Sequence, residues 1–124
     1  MQYTNMEEEK TLLVQCLGNS PKLRIIDFLI DNRPFDYSKK EIIEGSGTGK
    51  VTFFKVWKEL VEFGIVQQTR KYGKAILFKL NEENEIVKKL LVLEYSLIKQ
   101  TMNKAVTESE VKNPQKVRVQ NVDF

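Results

Sequence analysis

Residues 48–79 read TGKVTFFKVWKELVEFGIVQQTRKYGKAILFK. Phe53, Val56, Trp57 and Leu60 recur at the spacing of one helix face, which predicts a helix over residues 49–63. Lys50, Thr52, Lys55 and Lys58 fall largely off that face. Gly64 is the stop. Two runs of strand formers follow, residues 65–70 and 75–80, around the loop Lys71-Tyr72-Gly73-Lys74, which predicts a hairpin. Seven cations stand against two acids between residues 50 and 79. A basic amphipathic helix running directly into a cationic hairpin is the feature on which the rest of the chain is judged.

Upstream, Ser20-Pro21 opens a helix, with serine as N-cap and proline at the first helical position. Leu23, Ile26 and Ile30 line one side of it, and Asn32-Arg33-Pro34 turns the chain. Phe35-Asp36-Tyr37 can extend, and Ser38 with Glu41 forms a capping-box pattern ahead of a helix of about two turns with Ile42 and Ile43 inward. Gly45-Ser46-Gly47 is expected to break that helix. Further upstream, Leu13, Cys16 and Leu17 predict a short helix over residues 6–17, with Cys16 as an inert buried thiol. Downstream, a helix opening at Asn81 carries Ile86, Leu90, Leu93 and Leu97 at spacings of 4, 3 and 4. Glu94 falls within that apolar arc and needs a cation or an interface rim. Residues 103–124 lack periodicity and are expected to be a mobile tail.

The 124 residues fit one domain with appendages. The acidic start lacks the pattern of a signal peptide, and no apolar run is long enough for a membrane span, so a cytoplasmic location is expected. With no histidine and one cysteine, Ser-His-Asp catalysis, histidine-based metal sites and structural zinc are excluded. A carboxylate-only magnesium site stays open, but no tight acidic cluster suggests one, and no metal, cofactor or enzymatic activity is expected. The segment GSGTGK, residues 45–50, superficially suggests a phosphate loop. Its glycines are one residue too close, Val51 stands where Ser or Thr is needed, and a helix precedes it instead of a strand. The net charge of +3 conceals its distribution, because residues 35–80 hold nine cations against five acids. A basic patch of this kind attracts phosphate backbones.

Residues 20–81, SPKLRIIDFLIDNRPFDYSKKEIIEGSGTGKVTFFKVWKELVEFGIVQQTRKYGKAILFKLN, resemble the winged-helix domains of small bacterial and archaeal transcription regulators. The most specific part is VTFFKVWKELVEFGIV, in which Leu60, Gly64, Ile65 and Val66 match the passage from recognition helix to wing. The resemblance implies a mainly α fold with a small β-hairpin wing and control of transcription by promoter occupancy. The expected layout is an N-terminal helical extension (1–19), the winged helix-turn-helix (20–81), a dimerisation helix (82–102) and the tail (103–124).

A helix entering the major groove of duplex DNA reads base edges near its N-terminus and needs small, polar or basic side chains there. Thr48, Gly49, Lys50 and Thr52 suit that role, while Lys55 and Lys58 suit phosphates. Arg70, Lys71, Tyr72 and Lys74 are the wing candidates for backbone or minor-groove contact. Trp57 belongs with the core, and Phe54 is expected to pack on the preceding helix. A homodimer is expected through Ile86, Leu90, Leu93 and Leu97, joined by Leu13 and Leu17. The competing readings are a winged-helix adaptor that binds protein, and a plasmid or viral replication or partition factor using the same DNA-binding surface.

Overall fold

Among the described residues, side chains that can take orphan amides decide where four of the five helices begin. The computed structural model describes residues 10–109. Helix α1 (Leu12–Leu17) is capped by Thr11, whose Oγ1 accepts from Val14 N at 3.3 Å. Helix α2 (Pro21–Asp31) is capped by Ser20, with proline in the first turn. Strand β1 (Tyr37–Ser38) leads into α3 (Lys39–Ser46) through a complete capping box. Ser38 Oγ accepts from Glu41 N at 3.2 Å, and Ser38 N donates to Glu41 Oε1 at 2.8 Å. Helix α4 (Lys50–Glu62) starts after Gly49, with no side-chain cap. Strands β2 (Val66–Tyr72) and β3 (Ala75–Leu80) follow, and α5 (Glu85–Ser109) closes the described chain. Asn84 Oδ1 accepts from Ile86 N and Val87 N at 2.8 and 3.1 Å, so it caps α5.

The sheet is antiparallel in the order β1-β3-β2. Tyr37 pairs with Phe78, so the short strand expected around Phe35-Asp36-Tyr37 becomes the outer strand beside the hairpin. The hairpin turns through Gly73 and Lys74, because Tyr72 pairs with Ala75. Gly73 has φ 64°, which a residue with a Cβ rarely adopts. Its register shifts between Gln68 and Arg70. Asn81 and Asn84 tie the hairpin's exit to the end of α4: their side-chain amides donate to Gly64 O and Phe63 O, both at 3.0 Å.

The core gathers Ile25, Leu29 and Ile30 of α2, Ile42 of α3, Phe53, Trp57 and Leu60 of α4, Leu80 of β3 and Val87 of α5. The Phe53 ring stacks on Trp57 at 5.0 Å, and Trp57 meets Phe78 edge-on at 5.2 Å. Trp57 is therefore a core residue, as its place on the stripe implies. Helices α2 and α3 approach so closely that a Cβ at Gly45 would overlap the Phe28 ring. Gly45→Ala is expected to lower unfolding stability by about 1–3 kcal/mol in urea denaturation, despite alanine's better helix propensity. An unchanged midpoint would contradict this packing.

Several expectations need correction. The break before α4 comes only at Gly47, in the left-handed region at φ 65°, so Gly45 and Ser46 belong to α3. The last helix begins at Glu85 and not at Asn81, because the two asparagines are spent on the turn. It continues through 103–109, so the tail does not start at 103. Residues 6–9 of the expected first helix and 110–124 of the tail lie outside the described residues. Cys16 is exposed, not buried. The inward arc of α1 centres on Leu13 and Val14, which face α2 and α5, and it leaves Cys16 and Leu17 outside. Leu13 is thus core, and Leu90, Leu93 and Leu97 pack partly buried against the same core. Leu17 and Ile86 are exposed.

Candidate nucleic-acid interface

Burial of Phe53, Trp57 and Leu60 fixes the rotation of α4 and turns its other side outward. Lys50, Thr52, Lys55 and Lys58 are all exposed there, as their positions off the apolar stripe imply. None of the three lysines makes an ion pair among the described residues. Glu59, one of the two acids on α4, is taken up by Lys22 of α2. Gly49 offers no side chain over the helix start, so the first amides of α4 lie open, which favours an incoming anion.

Thr48 does not belong to this surface. It is 5% exposed, and its hydroxyl shares a 2.9 Å hydrogen bond with Ser46 Oγ. Its side chain closes the α3–α4 turn from inside. Val51 does belong, at 77% exposure, although it is not among the expected contact residues. The signal was available, since Val51, Lys55 and Lys58 stand at i, i+4 and i+7, on the side opposite the aromatic stripe. Phe54 only partly follows expectation. It lies edge-on to Phe53 at 5.3 Å, with the Lys39 amine of α3 5.6 Å from its ring centre, yet it stays exposed.

On the hairpin, Lys71, Tyr72 and Lys74 are exposed around the tip. Arg70 is otherwise engaged. Its Nε and Nη2 donate to Asp36 Oδ2 and Oδ1 at 3.0 and 3.3 Å, and Thr69 Oγ1 donates to Oδ2 at 2.6 Å. Arg70 is therefore a strut between β2 and the segment before β1. These bonds, Arg70 first, hold the Asp36 carboxyl below its ordinary value. A depressed acid stabilises the fold above the ordinary carboxylate range, and that contribution is lost as pH falls through the folded value. Asp36→Ala is expected to speed amide exchange across residues 69–72 at neutral pH while leaving α2 and α4 unchanged. Unaltered exchange in β2 would show that the strut does not steady the hairpin.

No protein-family model and no curated protein matches the sequence. Solved structures do match the fold. The transcriptional regulator PA4135 matches with a TM-score of 0.54 at 16% identity, covering 97% of this chain and 87% of that one. Lactococcus lactis ZitR matches with a TM-score of 0.54 at 13% identity, covering 96% and 90%. This chain has the winged helix-turn-helix fold. The MarR family transcriptional regulator SPO1453 from Silicibacter pomeroyi also shares it, with a TM-score of 0.50 at 14% identity over 89% and 79% of the two chains. In winged helix-turn-helix terms, α3 and α4 are the helix pair and β2–β3 is the wing. Among the described residues no helix is long and apolar enough to cross a membrane.

Proposed function

We propose that this chain is a transcriptional regulator that binds duplex DNA sequence-specifically as a homodimer. The observation that carries the reading is the outer face of α4, where an uncapped N-terminus is followed by Lys50, Val51, Thr52, Lys55 and Lys58. A helix so arranged suits the major groove, with Lys50, Val51 and Thr52 nearest base edges and Lys55 and Lys58 reaching phosphates. Lys71 and Lys74 add backbone contacts from the wing. The resemblance to regulators of the same fold supports the role, and neither a cofactor nor a catalytic group is required for it.

Dimerisation rests on α5. At 25 residues the helix is about 37 Å long. Leu90, Leu93 and Leu97 lean on the protomer's core, and Val92, Tyr95, Ile98 and Met102 stay exposed at spacings of 3, 3 and 4. A second copy covering that stripe gives a two-fold dimer, whose two copies of α4 would meet half-sites about 34 Å apart or a multiple of that. Sedimentation is expected to show roughly twice 14.5 kDa, and Tyr95→Glu with Met102→Glu to return the monomer. A 14.5 kDa species alone in the unsubstituted protein would remove the dimer. Selection of bound sites from random duplex DNA tests the whole reading. Inverted half-sites are expected, and enrichment of no sequence would refute specificity.

A further inference from the structure

A cleft of about 710 Å³ opens between α1, α2 and the end of α3, and none of the residues assigned to DNA lines it. Asp27, Asp31 and Glu44 line it together with Lys10 and Arg24. The Arg24 guanidinium is committed, donating to Asn19 Oδ1 at 3.0 Å and to the Ser46 and Gly47 carbonyls at 3.2 and 3.5 Å. Asp27 is 8% exposed. Its Oδ2 accepts the Thr11 hydroxyl at 2.7 Å, but its Oδ1 is closed to bulk water and, among the described residues, no donor reaches it. An acceptor left in that state is costly, the more so when it carries charge. Burial pushes the Asp27 carboxyl up, and the Thr11 hydrogen bond offsets this only in part. Val14 and the half-buried Phe28 ring give the cleft an apolar wall.

We propose that this cleft binds a small organic ammonium compound with an apolar body, its cation paired with Asp27 and flanked by Asp31 and Glu44. Oδ1 is buried beneath the cleft floor, so pairing with it requires that floor to open. Among the described residues no three acidic, histidine or cysteine side chains stand together as metal ligands, and the apolar wall suits an organic body. Residues 44–47 line the cleft and lead directly into the turn before α4, so occupancy bears on how α4 is presented. That consequence rests on the DNA-binding reading, whereas the binding itself does not.

The test is an amide NMR titration of the full chain with phenethylamine, at neutral pH and without DNA. Saturable shifts are expected at Thr11, Asp27, Phe28 and residues 44–47. Phenylacetate and N-acetylphenethylamine, which carry the same ring with an anionic and a neutral head, are expected to leave these resonances in place. Asp27→Asn keeps the side-chain shape and an acceptor for Thr11, and is expected to weaken phenethylamine by about tenfold or more. Asp31→Asn is expected to weaken it less. Absence of saturable shifts, equal binding of the acid or the amide, or unchanged affinity in Asp27→Asn each overturns the site. DNA affinity is measured separately with and without phenethylamine. A change supports the coupling to α4, and an unchanged affinity overturns it. Failure to bind DNA alongside intact ammonium binding counts against the DNA reading alone.

Discussion

Replacing Lys50, Lys55 and Lys58 together with alanine is expected to abolish measurable duplex binding near physiological salt. Each phosphate contact contributes about 0.9 log units of affinity per log unit of salt, so a salt titration of single variants shows how many of the three touch phosphate. Lys55→Ala and Lys58→Ala are each expected to flatten the slope by about that amount. Lys50→Ala, at the first turn of α4, is expected also to alter sequence preference. Lys71→Ala with Lys74→Ala should weaken all sequences alike, because the wing tip offers cations and no base-reading geometry. Thermal unfolding of these variants should move little, since all five side chains are exposed and surface changes are usually within about 0.5 kcal/mol. Full DNA affinity in the triple variant would show that α4 is not the reading helix.

The second large effect is on stability. Phe53 is fully buried, stacked on Trp57 and edge-on to Phe54. Phe53→Ala is expected to cost about 3–5 kcal/mol, the lost transfer energy plus the cavity left behind. Against a total stability of about 5–15 kcal/mol, that drop lowers the melting temperature on the order of 15 °C. Val51→Ala, two residues away and outward-facing, should leave the melting temperature nearly unchanged. Calorimetry on the two variants checks the rotation of α4 directly. Equal losses would mean that the helix is turned differently from what the aromatic stripe dictates.

What the sequence could reveal was whatever a few neighbouring residues decide. The capping box at Ser38 and Glu41, the proline start of α2 and the glycine stop after α4 are local geometry, and all three stand as read. The aromatic stripe on α4 was equally legible, because a helical period needs only one element. Two of the differences come from contacts across the fold. Arg70 looks like a free wing cation until Asp36, 34 residues earlier in the chain, folds beside it. Leu13 looks available for a partner until α1 docks between α2 and α5. Thr48 was misplaced at short range, since its hydroxyl turns inward to Ser46 and not outward with Lys50. The end of α5 was missed for another reason. Residues 103–109 have no apolar period, but they extend a helix already nucleated by the packing of Val87 and Leu90, and propagation adds one bond per residue fixed.

Titration of the full chain with random-sequence duplex DNA, at about 50 mM salt and then at rising salt, tests the central claim most directly. Binding is expected at low salt, falling linearly on a log–log plot with a slope that shrinks when Lys55 and Lys58 are removed. No binding at the lowest salt, or binding indifferent to salt and to those lysines, would contradict the assignment of α4 and the wing to DNA.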